Sequence, residues 1–330
     1  MKILLIYPSF FTFVKTDFHI LSKLGDVSKF HYHQSKTIKN NIFNQIKLLL
    51  FLTKNILTCN LIYIWFADYH SLLPILFGKI FRKKTMLVLG GYDVASLPEI
   101  EYGAFYKRFR RFFAKYSISN ADINLCVADN IQNDALNRVP SAKTRILYTG
   151  YSKDIFTLGN IDRKDIVLTV ALCDTIPRIK LKGIDYFVEL AKVLPQYEFV
   201  FVGGGDCIDK FIEVPSNLRL VGKLPNHEII KYYQEAKVYA QFSMREGLPN
   251  TVCESMLCGC IPVGFNNGGI PIAIGDAGFI IKTNEVEIIK DKVIEAMDSS
   301  EDLRKIARKR ILENFSIENR ENSIYRLVEK

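Results

Sequence analysis

Short, near-continuously apolar runs alternate with helix-length segments along this chain, and the alternation occurs twice. In the first half the runs are 2–7, 61–66, 86–89, 123–127 and 146–148. In the second they are 166–171, 199–202, 218–221, 238–242, 261–263 and 279–281. Runs this short, apolar at nearly every position, suit parallel strands covered on both faces. The segments between them, such as 183–194 and 226–236, have the length of the helical crossovers that parallel strands require. The expected fold class is therefore α/β, with two doubly wound, Rossmann-like domains. The 330 residues agree with two domains at ~100–200 residues each. A polar, aperiodic stretch at 151–165 marks the break. This gives domains 1–156 and 157–315, with a last helix at 316–330, capped by Ser316, packing back on the first. Two such domains facing each other place a cleft between two sets of strand C-terminal ends, where such sheets bind ligands.

Composition narrows the class. The seven cysteines are scattered and form no CxxC pair, which argues against a zinc site or a secreted disulfide framework. The opening run 3–7 reads as a buried first strand, not a leader. The stretch 46–57 is interrupted by Lys47 and Lys54 and falls short of the ~20 residues that span a bilayer. A reduced, cytoplasmic protein is expected. The net charge of +9 is uneven: residues 1–156 carry +11 and residues 157–330 carry −2. A basic first half attracts phosphates, nucleic acid or an anionic membrane surface.

The most informative stretch is 243–263. A strand at 238–242 runs into a loop with Glu246, Gly247, Leu248 and Pro249; a helix then starts near Asn250 or Thr251, both good caps, and stops at Gly259. Glu246 and Glu254 thus flank a helix N-terminus. The free N–H groups and the helix dipole there favour a phosphate or diphosphate. The carboxylates cannot, so they should accept from hydroxyls. Phosphate with hydroxyls on both sides describes a nucleotide sugar. The plainer alternative is an exposed Glu246 and a Glu254 that merely complements the dipole.

Glu246 and Glu254 fit the E-x7-E motif of retaining GT-B glycosyltransferases. Their surroundings resemble glycosyltransferase family 4 in Glu246-Gly-Leu-Pro-Asn250, Glu254-Ser-Met256, Cys258-Gly-Cys-Ile-Pro-Val263 and Gly268-Gly-Ile-Pro271. The resemblance implies that Glu246 contacts the donor sugar and Glu254 the ribose, with the amides of Gly247 and Leu248 near the diphosphate. Lys182 matches the family's Lys-Gly lysine at the diphosphate. The family's arginine falls on Leu172, so Arg178 or Lys180 is expected to substitute. Such a cation stabilises the leaving diphosphate. Gly203 and Gly205 match a glycine turn below the donor, and Leu224 the loop bordering the base. The implied reaction is hexose transfer with retention to a hydroxyl acceptor, lipid-linked or part of a cell-surface glycan, by front-side displacement. No DxD motif lies in the cleft segments, so no metal and no cofactor beyond the donor is expected.

In the first half, Gly91 and Asp93 follow a strand and should face the acceptor. Many family members have a histidine where Gly90 stands, and His70 is the candidate replacement. Aromatics at 105, 109, 112, 113 and 116 share one helical face and should pack on the sheet. Lys107, Arg108, Arg110, Arg111 and Lys115 fill the other face and could meet an anionic membrane, with 46–57 dipping into the interface. The expected location is cytoplasmic, peripheral on the inner membrane face. Three rival readings stand beside this one: a soluble acceptor, a nicotinamide-dependent oxidoreductase, and a basic nucleic-acid-binding protein. The oxidoreductase lacks a full fingerprint, because Ile208 occupies the last glycine position. No nucleic-acid recognition motif supports the last, so no nucleic-acid partner is expected.

Overall fold

The computed structural model describes residues 1–35, 37–204, 208–210 and 212–329. The chain divides into two compact units: Met1–Gly150 with Arg320 onward, and Tyr151–Asn319. The first contains β1 (Lys2–Tyr7), α1 (Thr12–Leu24), β2 (Asp26–His31), α2 (Ile38–Asn55), β3 (Leu61–Trp65), α3 (Leu72–Ile80), β4 (Lys84–Leu89), α4 (Arg108–Asn120), β5 (Ile123–Cys126), α5 (Asp129–Arg138) and β6 (Thr144–Ile146). The second contains β7 (Lys164–Cys173), α6 (Ile176–Lys182), α7 (Ile184–Val193), β8 (Glu198–Gly204), β9 (Leu218–Val221), α8 (Asn226–Glu235), β10 (Ala236–Gln241), α9 (Asn250–Leu257), β11 (Ile261–Phe265), α10 (Ile270–Ile274), β12 (Phe279–Ile281), α11 (Val286–Met297) and α12 (Glu301–Asn314). A last helix, α13 (Ile317–Val328), crosses the boundary, and its Ser316 Oγ accepts the Asn319 N–H at 3.2 Å, as an N-cap does.

The six strands of the first unit are parallel, in the order β2-β1-β3-β4-β5-β6. Those of the second are parallel in the order β12-β11-β10-β7-β8-β9. Strand order therefore reverses between β1 and β3 in one sheet and between β7 and β10 in the other, the places where such sheets take ligands. The apolar runs form the core: Ile3–Ile6, Ile62–Ile64, Leu87–Leu89 and Phe199–Val202 have no exposed surface. Ten of the eleven expected strands form at their expected runs, and the one expected at 146–148 forms at 144–146, as β6. β2 is additional: it lies on a sheet edge with exposed Asp26, Lys29 and His31, so its sequence carries no continuous apolar run.

The unit boundary lies at residue 150, not 156. Tyr151 N–H donates to Phe315 O and Tyr151 OH to Asn250, while Arg308 bonds Phe156 O, so 151–156 pack with the second unit. The aromatic helix also differs from expectation. It begins at Arg108, beyond the buried Phe105, and its packed face is Ala114, Ser117 and Ile118. Phe109 and Phe112 are 77% and 64% exposed, because the small residues, not the rings, fit against the neighbouring elements.

Candidate functional site

The second unit's site grows from the ends of β7 and β10, the neighbours at the reversal point. β7 leads into α6. Pro177 starts it and Ile179 and Leu181 bury its inner face. α6 ends at Gly183, with a left-handed φ of 64°, and a Cβ there would lie 2.0 Å from Phe242 O. Only glycine permits that contact. It holds the end of α6 against the exit of β10, where Met244 N–H donates to Leu181 O at 2.9 Å.

This brings Lys182 to Glu246, with Nζ 2.6 Å from Oε1; their side chains are 28% and 16% exposed. Beneath the pair lies a polar network built on Gln241. Its Nε2 donates to Ser243 Oγ (2.6 Å) and to Glu246 Oε1 (3.2 Å). Its Oε1 accepts from Tyr239 OH (3.1 Å) and Thr251 Oγ1 (3.2 Å). Every hydrogen-bonding site of this buried amide is engaged, which fixes the direction of the Glu246 carboxylate. The backbone helps: Gly269 N–H donates to Glu246 O at 3.2 Å, and a Cβ on Gly269 would lie 1.9 Å from Gly247 O. The Gly268-Gly269 pair thus lets two loops touch.

Glu254 lies one turn into α9 and is buried, accepting from Tyr233 OH at 3.1 Å. Burial pushes its carboxyl up to about 7 against the lowering effect of Tyr233. The sign follows from proton binding. Between the ordinary 4.5 and about 7, the folded chain holds a proton that the unfolded chain has lost. Glu254 therefore costs stability progressively as pH rises through that window, by about 3 kcal/mol at its end. Glu254→Gln should match the wild type near pH 4.5 and exceed it above pH 7. Urea titrations across that range check this; a constant difference would refute the burial account.

The remaining donor-side expectations fall out unevenly. Arg178 is exposed on α6 and paired with Asp174 four residues back (3.0 Å), away from Glu246. Lys180 is also exposed there. Neither joins Lys182, because α6 is helical and turns them outward. Pro249, not Asn250 or Thr251, occupies the cap position of α9, since both side chains are used elsewhere, by Tyr151 and Gln241. Leu248 is buried. Gly203 is the next-to-last residue of β8, beside β7, and Leu224 is half-buried between β9 and α8. Gly205 lies outside the described residues. Gln241, Ser243 and Tyr233 were not singled out from sequence. The signal for Gln241 was there: it is the one polar side chain at the end of an apolar strand that exits into the glutamate loop.

In the first unit, Asp93 and His70 have no exposed surface, which corrects the expectation that their side chains face an acceptor. Asp93 instead ties the loop after β4, accepting N–H groups of Gly91 (2.7 Å), Gly90 (3.1 Å) and Ala67 (3.3 Å). Burial still raises it to about 6. Gly91 is buried in that loop with a φ of 131°. His70 Nε2 lies 2.7 Å from Trp65 O, and burial lowers its pKa. Arg110 also departs from expectation. It turns inward to Asp68 (2.5 Å), with its guanidinium near the rings of Tyr69 and Tyr92. Lys107, Arg108, Arg111 and Lys115 stay exposed.

Residues 175–312 match the family model described as Glycosyl transferases group 1. Among curated relatives, an uncharacterized glycosyltransferase of Methanocaldococcus jannaschii is 25% identical over 69% of this chain and 63% of its own length. A second, N,N'-diacetylbacillosaminyl-diphospho-undecaprenol alpha-1,3-N-acetylgalactosaminyltransferase of Campylobacter jejuni, is 26% identical over 77% of this chain and 72% of its own. The chain spans less than two thirds of the length of the first curated relatives it matches. Among solved structures, Anabaena HepE in complex with UDP and glucose superposes with a TM-score of 0.79 at 13% identity, covering 100% of this chain and 99% of that one. That likeness shows the fold, the GT-B arrangement of two parallel six-stranded sheets. The residues that match the Glycosyl transferases group 1 model lie in the second unit, and the chain has the GT-B fold.

Proposed function

We propose that the protein moves a hexose, with retention, from a nucleotide diphosphate sugar to a hydroxyl of a lipid-linked glycan. The observation that carries this is the Lys182–Glu246 pair, fixed by Gln241 beside the N-terminus of α9. The helix end and Lys182 suit a diphosphate. Glu246 then accepts from sugar hydroxyls, and Glu254, one turn further on, from ribose. As the glycosidic bond breaks, Lys182 meets the charge that develops on the leaving diphosphate, with no metal required for that role. The donor's own phosphate takes the acceptor proton in a front-side displacement. HepE was solved with UDP and glucose, which makes uridine diphosphate sugars the first donors to try. The C. jejuni relative's name specifies a diphospho-undecaprenol acceptor, which supports a lipid carrier here.

The first unit's surface supports an acceptor held at an anionic membrane on the cytoplasmic side. No described helix is long and apolar enough to cross a bilayer. However, α2 leaves Ile38, Ile42, Phe43, Ile46 and Leu50 at least half exposed, with Leu48 and Leu52 buried behind them. Phe109 and Phe112 are exposed on α4 among Lys107, Arg108, Arg111 and Lys115. Apolar side chains ringed by cations suit a headgroup layer, each cation adding about 1 kcal/mol near an anionic surface.

Calorimetry with UDP and UDP-glucose tests the donor assignment. Above pH 7, where Glu254 is ionised, Glu254→Ala should weaken both ligands about 10- to 100-fold, because it removes a charged acceptor from ribose. Glu246→Ala should leave UDP binding within a few-fold and lower turnover. Loss of UDP binding in Glu246→Ala alone would reverse the two ends of the donor.

A further inference from the structure

A cavity of about 700 Å³ opens in the first unit at the N-terminal ends of β4, β5 and β6, the end of the sheet opposite the ligand-binding loops. Five cations line it: Lys79, Arg82, Lys83, Lys84 and Lys143. Three of them donate to neutral oxygens: Lys79 to Asn120 Oδ1 (3.0 Å), Lys83 to Leu57 O (3.1 Å) and Lys84 to Leu327 O (2.6 Å). Among the described residues, no carboxylate lies within ion-pair distance of any of the five. The one acid in the lining, Asp122, is occupied by the N–H and hydroxyl of Thr85 at 2.8 and 2.9 Å. Five cations against the single carboxylate of Asp122 leave an excess of four positive charges around one hollow; they repel one another, and a bound anion offsets that repulsion.

Arg82 adds an independent observation. It follows the C-terminus of α3 with a left-handed φ of 49°, and the next residue's N–H, that of Lys83, bonds Gly78 O at 2.8 Å. This is a helix stop at which glycine is the unstrained residue. The sequence places an arginine there and turns it into the cavity lining. Strain of this kind points to a function for the side chain, not for the turn.

We propose that this cavity binds a phosphate group. Phosphate matches a ring of lysines as a compact multivalent anion, and Arg82 supplies a planar fork for two of its oxygens. The exposed Leu57 (74%), Ile80 (61%) and Phe81 (39%) flank Lys79, Arg82 and Lys83 in sequence or by the Lys83–Leu57 bond. That apolar rim favours the phosphate of a lipid headgroup over a free one. The assignment does not depend on the sugar-transfer reading, and its failure leaves that reading standing.

Arg82→Gly is the discriminating variant, because glycine suits the turn and removes only the cation. Calorimetry of the full chain with inorganic phosphate in chloride buffer should show affinity reduced at least about tenfold, with no drop in melting temperature. Co-sedimentation with phosphatidylglycerol vesicles, against phosphatidylcholine, separates the sources. Capture that falls together with phosphate affinity assigns the pocket to a lipid phosphate. Capture that is unchanged while phosphate affinity falls assigns it to a free phosphate. If Arg82→Gly changes neither readout, or if the wild type binds neither inorganic phosphate nor anionic vesicles, the proposal is overturned.

Discussion

Lys182→Ala should lower turnover about 10²- to 10³-fold while changing donor affinity much less. A preorganised charge aimed at a leaving group acts mainly in the transition state, where losing one such donor costs about 2.7–4 kcal/mol of barrier. The geometry sharpens the experiment. Lys182 is bonded to Glu246 at 2.6 Å, so its removal also strips a partner from a carboxylate that is only 16% exposed. A loosened loop would also lower the rate. The pair is partly solvated, so the structural share should be modest, about 1–2 kcal/mol. Urea denaturation of Lys182→Ala separates the two effects: lost stability reports the loosened loop, and a low rate in the folded variant reports the missing charge. Arg178→Ala is the control. Its guanidinium is engaged by Asp174 on the outer side of α6, and its rate should stay near wild type. A wild-type rate in Lys182→Ala, with a slow Arg178→Ala, would move the electrostatic role to Arg178.

Much of this site was legible before any coordinates, for a physical reason. Parallel strands buried on both faces must be apolar throughout, so the central strands show as runs, while the exposed edge strands β2 and β6 do not. The glutamates stand out because charged residues cannot lie inside those runs. What the sequence did not reveal was orientation. Arg178, Lys180 and Lys182 lie within five residues, yet helical geometry and the Gly183–Phe242 contact send Lys182 alone to Glu246. His70 and Asp93 had the right residue types beyond strand ends, but His70 Nε2 and the Asp93 carboxylate are engaged by backbone groups. The ring stripe of α4 failed for a similar reason: periodicity names a face without naming its neighbour, and the small residues took the inside. Long-range pairs were invisible altogether, and the most consequential joins residues 303 positions apart.

That pair is Asp17 on α1 with Arg320 on α13, and breaking it should cost the first unit about 3–5 kcal/mol. Both side chains are essentially buried, at 0% and 1% exposure. Arg320 Nε and Nη2 donate to the two Asp17 oxygens at 2.6 and 2.8 Å, and Nη1 donates to the carbonyls of Leu147 and Tyr148. Tyr63 OH and Trp65 Nε1 complete the carboxylate at 2.8 and 2.9 Å. A pair satisfied in this way is not necessarily better than apolar packing, yet removing one member strands the other charge without water. Arg320→Met should therefore destabilise strongly. Asp17→Asn with Arg320→Met should recover part of the loss, since the neutral amide keeps acceptors for Tyr63 and Trp65. Trp65 is the chain's one tryptophan and a member of the network, so its fluorescence during urea denaturation reports on the first unit alone. UDP calorimetry on the same variants monitors the second unit, which should bind as before. A loss below about 1 kcal/mol in Arg320→Met would mean that water enters and solvates Asp17. α13 would then be held to the first unit by its apolar face, with Ile324 buried at its centre.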